Sequence, residues 1–97
     1  MKEYGNRIDF DKKASIIADI DTEFKRATTL HPKFNSRHEG LAILQEEVFE
    51  LQTEVYKNHA KNPEVKQSQR KEAVQVAAMA MRFIYDCCDE PNPEEVW

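Results

Sequence analysis

Acidic and amide side chains recur at helical spacing in two segments of the chain. Glu46, Glu47 and Glu50 lie in one segment, and Glu72 and Gln75 lie in the other. Side chains three positions apart are neighbours on a helix, so the Glu47 and Glu50 carboxylates repel each other unless water or a cation lies between them. Ligands that offer only oxygen suit Mg²⁺ or Mn²⁺ and do not suit zinc. The two segments therefore predict a candidate divalent-cation site.

The acidic segments converge only if the helices that carry them pack together. At 100° per residue, Glu47 lies on the immediate flank of an apolar seam, and Glu72 flanks a second apolar stripe. Packing of the seam against the stripe brings the two acidic pairs together. The alternative is that these side chains are simply solvated, which is the usual state of glutamates on a helix.

Three amphipathic helices account for most of the chain. The first is predicted over 11–30, where Ile16, Ile20, Phe24 and Ala27 form one apolar stripe. Pro32 ends it, because the residue before a proline is held out of the helical conformation.

The second helix begins with a capping box, in which Ser36 is the N-cap and Glu39 reaches back. It is predicted to fray over 57–60. Its seam has spacings of three and four residues and indicates a helix that faces a partner helix. The seam consists of Leu41, Leu44, Val48, Leu51 and Val55.

The third helix begins with Asn62 as N-cap, Pro63 in the first helical position and Glu64 near the positive end of the helix dipole. Pro91 and Pro93 end it. Its stripe contains small residues that allow close helix approach: Ala73, Val76, Ala77, Ala80, Phe83, Ile84 and Cys87.

These elements predict a single all-α domain over 1–97, with loose ends at 1–10 and 90–97. Three stripes in so short a chain bury little apolar area, and a four-helix bundle needs a fourth wall. We therefore expect three long helices in a four-helix-bundle-type core that is completed by oligomerisation, as a homodimer or a tetramer.

Composition excludes several classes of function. Lys and Arg total 14 against 18 Asp and Glu, so the net charge of −4 offers no basic excess for nucleic-acid binding. The two glycines stand alone, which excludes glycine-rich phosphate loops. No apolar run is long enough to span a membrane, and no signal-peptide pattern opens the chain, so we expect a cytoplasmic protein. Cys87 and Cys88 are adjacent and are interpreted as reduced thiols.

The acidic segments resemble motifs of the MazG-like, all-α nucleoside triphosphate pyrophosphohydrolases. Glu46-Glu47-Val48-Phe49-Glu50 matches the family's EExxE element, and Glu72-Ala73-Val74-Gln75 stands in the place of its ExxD element. Residues 76–80 are similar to the helix of small residues in the family. Residues 38–40, together with residues 44–47 that follow, resemble the same region of small phage and bacterial members. The resemblance covers about 32–88.

The resemblance implies a helical oligomer that hydrolyses (d)NTPs to the monophosphate and pyrophosphate with Mg²⁺, or Mn²⁺ in its place. It implies that Glu47, Glu50 and Glu72 are metal ligands and that Gln75 occupies the fourth ligand position. Glu46 would act as a catalytic outer-shell group or orient water. The family has Asp where this chain has Gln75, so three interpretations follow. The site holds fewer metal ions, or another acid such as Glu54 compensates for the missing charge, or the protein is a weakly active or inactive relative. In the last case the chain is a helical interaction or regulatory module.

Five further residues are candidates for substrate contact, each with a structural alternative. His38 lies in the first turn of the second helix, where it contacts a base or phosphate or is simply exposed. Lys33 and Asn35 precede that helix and are placed at a pocket mouth. Lys71 and Arg82 flank the acidic side of the third helix; Arg82 either neutralises a phosphate or pairs with Asp86 four residues later.

Two aromatic residues lie on the second helix away from its leucine seam. Phe49 and Tyr56 are seven positions apart and so share one side. We interpret them as a packing contact with a dimer partner or with the first helix, in preference to a base-stacking site.

Overall fold

The computed structural model describes residues 7–57 and 62–89. Within them the chain forms helices α1 (Phe10–Leu30), α2 (Arg37–Lys57) and α3 (Pro63–Phe83), and α3 continues into a π-helix (Ile84–Cys88). The described residues contain no strand, which confirms the all-α prediction. No helix among them combines the length and apolar character that a membrane crossing requires.

Local capping sets the start of each helix close to the predicted position. Asp9 caps α1 through a 3.0 Å bond from the Lys12 amide, so α1 begins at Phe10, one residue before the predicted 11–30. The Asn62 side chain accepts from the Val65 amide at 2.9 Å, and Pro63 opens α3, both as predicted.

The capping box of α2 is present with one change. The Glu39 amide donates to the Ser36 hydroxyl at 3.1 Å, as predicted. The Glu39 carboxylate does not return this bond to Ser36 but accepts from the Asn35 amide at 2.6 Å and from the Asn35 side chain at 3.3 Å. Both bonds fix the loop that precedes α2.

The end of α3 is wider than an α-helix. The Asp89 amide donates to the carbonyl of Ile84 at 2.9 Å, which is the five-residue spacing of a π-helix. Asp86 and Cys87 are both buried in this turn. The prolines expected to end the helix lie outside the described residues, as do the predicted tail 90–97 and most of the predicted N-terminal end.

Helix α3 packs against both α1 and α2. It runs antiparallel to α2, because Glu54 meets Ser68 near one end of the pair while Gly40 meets Phe83 near the other. Gly40 makes this second contact close: a Cβ there would lie 2.9 Å from Phe34 and 3.0 Å from Phe83.

The buried core is small. It contains side chains from α1, from the loop before α2 and from α3, with three half-buried side chains packed against them. The buried members are Ala27, Phe34, Met79 and Cys87, and the half-buried ones are Ile43, Leu44 and Phe83. The core thus lies at the end of the molecule where the loop 31–36 crosses α3.

The predicted faces of α2 and α3 are partly wrong. Leu44 and Leu51 are half-buried, but Leu41, Val48 and Val55 of the same seam are exposed. In α3, Ala73 and Ile84 are exposed whereas Ala78, Met79 and Arg82 are buried. For α3 the reason is the position of α1, which covers a side of α3 that the stripe did not include. Phe49 and Tyr56 are 65% and 68% exposed, so they do not pack on α1.

Candidate metal centre

Three glutamates meet between α2 and α3. Glu47 and Glu50 come from consecutive turns of α2, and Glu72 comes from the facing side of α3. One carboxylate oxygen from each lies within 4.8 Å of the other two. We call these three residues the glutamate cluster. The sequence prediction that the two acidic segments converge agrees with this arrangement.

Two of the three carboxylates have a buried oxygen atom without a hydrogen-bond partner. The Oε1 atoms of Glu47 and Glu72 are buried and have no hydrogen-bond partner. Burial of an unpaired carboxylate oxygen is costly. A cation between the helices would supply the missing interaction, so the residues present fit a hard divalent ion.

The electrostatics of the cluster favour protonation when no cation is bound. Burial raises the pKa of Glu47 above its ordinary 4.5, and the neighbouring charges of Glu50 and Glu72 raise it further. Burial also raises the pKa of Glu72, followed by the charge of Glu50, and a hydrogen bond with Glu50 favours the protonated form. Two or three like charges at this separation resist being ionised together.

Glu54, the acid suggested as a substitute for Asp at position 75, has other partners. Its carboxylate accepts from the Ser68 hydroxyl at 2.8 Å and lies 3.8 Å from the Lys57 ammonium. It still contributes negative potential at Glu72, whose pKa it helps to raise. Glu54 therefore borders the glutamate cluster and also joins α2 to α3.

Gln75 lies one turn after Glu72 on α3 but lines a cavity that Glu72 does not line. It is half-buried and lines a cleft of about 890 Å³ between α1 and α3, together with Lys71 and Glu23. No member of the glutamate cluster lines this cleft. Glu23 was not predicted from the sequence, although its position beside the α1 stripe residue Phe24 is the signal that could have found it.

Glu23, on α1, adds negative charge that acts on the glutamate cluster. Its carboxylate accepts two bonds from Arg26, at 3.1 and 2.6 Å. The bonds from Arg26 lower the pKa of Glu23, and the charge of Lys71 lowers it further. The ionised Glu23 in turn helps to raise the pKa of Glu47. The cluster is therefore surrounded by acids from all three helices.

A second cavity reaches the cluster from the other end. It has a volume of about 290 Å³ and is lined by the loop before α2, by α2 itself and by α3. Three predicted substrate contacts, Lys33, Asn35 and Arg82, line it, and so do Glu46 and Glu47. His38 is exposed and does not line this cavity, and Lys71 lines the α1–α3 cleft instead.

Arg82 pairs with Asp86, which is the structural alternative to phosphate binding that the sequence offered. It is 3% exposed and lies 3.7 Å from Asp86, the partner predicted four residues later. Its guanidinium donates to the carbonyl of Pro32 at 2.9 Å and lies over the Phe34 ring at 4.3 Å. Asp86 in turn accepts from the Phe34 amide at 3.2 Å. Arg82 thus forms the cavity wall and fixes the loop in place.

Comparison of the chain with protein-family models, with curated proteins and with solved structures found no match. The glutamate cluster and its two flanking cavities therefore have to be interpreted from their own chemistry.

Proposed function

We propose that this protein hydrolyses nucleoside triphosphates, (d)NTPs, to the monophosphate and pyrophosphate with a divalent cation. The observation that carries the proposal is the meeting of Glu47, Glu50 and Glu72 within 4.8 Å, from two different helices. The motif resemblance to the MazG-like pyrophosphohydrolases supports the same reaction. We propose the cytoplasm as its location and a homo-oligomer as its assembly.

Glu47, Glu50 and Glu72 are the residues that would hold Mg²⁺ or Mn²⁺. When bound, such an ion neutralises phosphate charge and lowers the pKa of bound water. The Oε1 atoms of Glu47 and Glu72, which have no hydrogen-bond partner, are the proposed ligand atoms. Gln75 lines the neighbouring cleft but lies one helical turn after Glu72, and in this proposal its amide oxygen takes the fourth ligand position.

The cavity that contains Glu46 and Glu47 is the proposed place of the substrate. Phe34 and Arg82 also line this cavity, as do Lys33 and Asn35. A polyphosphate next to Glu47 leaves the nucleoside to occupy the remainder of the cavity. Glu46 is exposed beside the cluster, where its carboxylate can accept a proton from the attacking water.

The assay that tests this function measures pyrophosphate and monophosphate released from a panel of dNTPs and NTPs with Mg²⁺ or Mn²⁺. We expect turnover by the wild-type protein and its loss in Glu50→Gln. Glu50 is exposed, so this variant removes a ligand charge without opening the core. Glu64→Gln removes one exposed charge from the first turn of α3 and serves as the matched control.

A helical interaction module is the second candidate function. The observation in its favour is Gln75, a neutral amide where the related family has Asp. Thermal melting separates the two candidates, because a cation that binds only the folded state raises the melting temperature. An unchanged melting temperature at millimolar Mg²⁺ and Mn²⁺, together with no turnover across the panel, supports the interaction module.

A further inference from the structure

The cavity of about 290 Å³ beside Glu47, which we call the loop cavity, has an α2 wall with an apolar residue between two acidic ones. Glu39, Ile43 and Glu47 repeat every four residues and so share one face of α2. The two acids are therefore two turns apart, about 12 Å along the helix. Met79 lines the cavity from α3. A planar ring in the loop cavity can thus contact apolar side chains from two helices.

Arg82 lines the same cavity and retains hydrogen-bond donors without a strong acceptor. A guanidinium has five N–H donors. Its Nη2 donates to the Pro32 carbonyl at 2.9 Å and lies 3.7 Å from the Asp86 carboxylate. Its Nη1 donates at 3.7 Å to the thioether of Met79, which is a weak acceptor, and within the described residues its Nε is buried without a partner. Because buried donors are costly to leave unsatisfied, Arg82 favours a ligand that brings an oxygen acceptor.

Glu39 has the opposite capacity. An ionised carboxylate offers about four acceptor positions. That of Glu39 accepts from the Asn35 amide at 2.6 Å and from the Asn35 side chain at 3.3 Å, one bond to each oxygen. Each oxygen therefore keeps a lone pair. Glu39 lines the cavity and is half-buried, so it can accept a further bond from an N–H group of a ligand.

The charges around the loop cavity disfavour a phosphate group at the end that Arg82 and Glu39 share. Acidic side chains outnumber the lysine and arginine of the lining, which together are Glu39, Glu46, Glu47, Lys33 and Arg82. The charge of Arg82 is in addition offset by its pairing with Asp86. The part of a ligand that fits there is neutral, with a carbonyl oxygen for Arg82 and an N–H group for Glu39.

We propose that the loop cavity binds the nucleobase of the substrate and selects an amino-oxo base, which is cytosine or guanine. The carbonyl oxygen of the base accepts from Arg82, its amino group donates to Glu39, and its ring packs against Ile43 and Met79. Adenine has no carbonyl oxygen, and thymine and uracil have no amino group. This assignment rests on the proposed function, because it takes the nucleoside of that substrate to lie in this cavity.

Matched nucleosides isolate the contact with the amino group. Deoxyinosine is deoxyguanosine without its 2-amino group, and the deoxynucleoside of 2-pyrimidinone is deoxycytidine without its 4-amino group. NMR titration of the wild-type protein without metal ion measures the dissociation constants of these four nucleosides, of deoxyadenosine and of thymidine. In at least one pair, the nucleoside with the amino group should bind about 10- to 100-fold more tightly, because its bond to Glu39 has a charged acceptor. The pair that shows this difference identifies the base.

Glu39→Gln separates base recognition from the structural role of this residue in the loop. Glutamine keeps the side-chain length and suits the same position of a capping box, but it replaces the charged acceptor with a neutral amide. The preference for the amino nucleoside should fall by about 10-fold or more. Glu64→Gln removes an exposed charge from the first turn of α3 and should keep the wild-type preference. A purely structural role of Glu39 would weaken both members of a pair equally and leave their ratio unchanged.

Three results overturn the proposal. They are equal affinities within both nucleoside pairs, no binding of any of the six nucleosides at millimolar concentration, and an unchanged preference in Glu39→Gln.

The base assignment and the proposed hydrolysis can fail separately. Base-selective binding of nucleosides without turnover of any triphosphate contradicts the proposed function alone. Turnover with the same kcat/KM for every base contradicts the base assignment alone.

Discussion

The guanidinium of Arg82, near the end of α3, donates a 2.9 Å hydrogen bond to the carbonyl oxygen of Pro32 in the loop before α2. The same side chain lies over the ring of Phe34, whose amide donates to Asp86. One buried arginine therefore fixes the loop that forms a wall of the cavity beside Glu47. The stability of this end of the molecule and the shape of the cavity depend on the same contacts.

Removal of Arg82 should destabilise the protein strongly. Arg82→Leu leaves Asp86, which is 6% exposed, as a buried charge without its arginine. Breaking a buried pair in this way costs about 3–5 kcal/mol, and urea unfolding followed by circular dichroism measures it. Lys25→Leu removes the solvent-exposed partner of Asp21 and should change stability little. Equal effects of the two variants would show that the Arg82 contacts do not hold the loop.

Neutralisation of a cluster residue should weaken cation binding. Glu47→Gln and Glu72→Gln each remove a charged oxygen ligand, and we expect Mn²⁺ affinity to fall by about 100-fold or more. Electron paramagnetic resonance of free Mn²⁺ measures the affinity. Glu64→Gln, which removes an exposed charge from the same helix as Glu72, should bind Mn²⁺ like the wild-type protein. Unchanged binding in both cluster variants would exclude the proposed site.

The stability of the cation-free protein should fall as pH rises. The pKa values of Glu47 and Glu72 are raised in the folded state by burial and by Glu50, above the value of about 4.3 in the unfolded chain. The folded state thus binds more protons, so the stabilisation present below the unfolded pKa is lost as pH rises through the folded pKa. Urea unfolding in EDTA at about pH 4, below the unfolded pKa, and at about pH 8 tests this.

The Gln variants and added cation provide the controls for this pH effect. Glu47→Gln should flatten the pH dependence because it removes one of the two titrating groups. Added Mg²⁺ should raise stability more at the higher pH, since cation binding requires deprotonated carboxylates. A wild-type pH dependence retained in Glu47→Gln would show that other groups cause it.

A charge at position 75 should strengthen cation binding. Gln75→Asp introduces the acid that stands at this place in the ExxD motif and adds a charged oxygen close to Glu72 on the helix surface. We expect tighter Mn²⁺ binding and, if the site is catalytic, faster turnover. Weaker binding would place Gln75 outside the cation's coordination shell, in agreement with its position in the cleft that Glu23 and Lys71 line.

A methyl group at Gly40 should destabilise the contact between α2 and α3. The added Cβ would lie 2.9 Å from the ring of Phe34 and 3.0 Å from the ring of Phe83. Aromatic rings do not move aside as easily as the tip of a long, flexible side chain does. The expected strain of about 1–3 kcal/mol is at least as large as the roughly 1 kcal/mol that alanine gains in helix propensity. Calorimetry of Gly40→Ala measures the sum. Gly40→Ala with Phe83→Leu should recover part of the loss, and a melting temperature above wild type would contradict the close contact.

Helix ends could be predicted from the sequence because the signals are local. Asn62 and Ser36 cap through bonds that span three residues, and Pro32 acts on its own neighbour. The convergence of Glu47 and Glu72 could also be predicted, since it required only that α2 and α3 pack along their apolar sides.

The rotation of each helix could not be predicted in the same way. Val48 is apolar and exposed, and Asp86 is charged and buried, because both outcomes depend on what lies beside them in three dimensions. Arg82 finds its partner 50 residues away at Pro32, and no periodicity along α3 contains that information.

The glutamate cluster also affects what fraction of newly synthesised chains is folded, because it lies in the contact between α2 and α3 that forms on folding. Without a cation, docking brings Glu47 and Glu72 together with oxygens that nothing satisfies. Under the proposed cation site, binding increases the folded fraction by mass action, and cellular proteases remove chains that stay unfolded. The supply of divalent cation in the cell would then set how much of this protein accumulates, before any substrate is present.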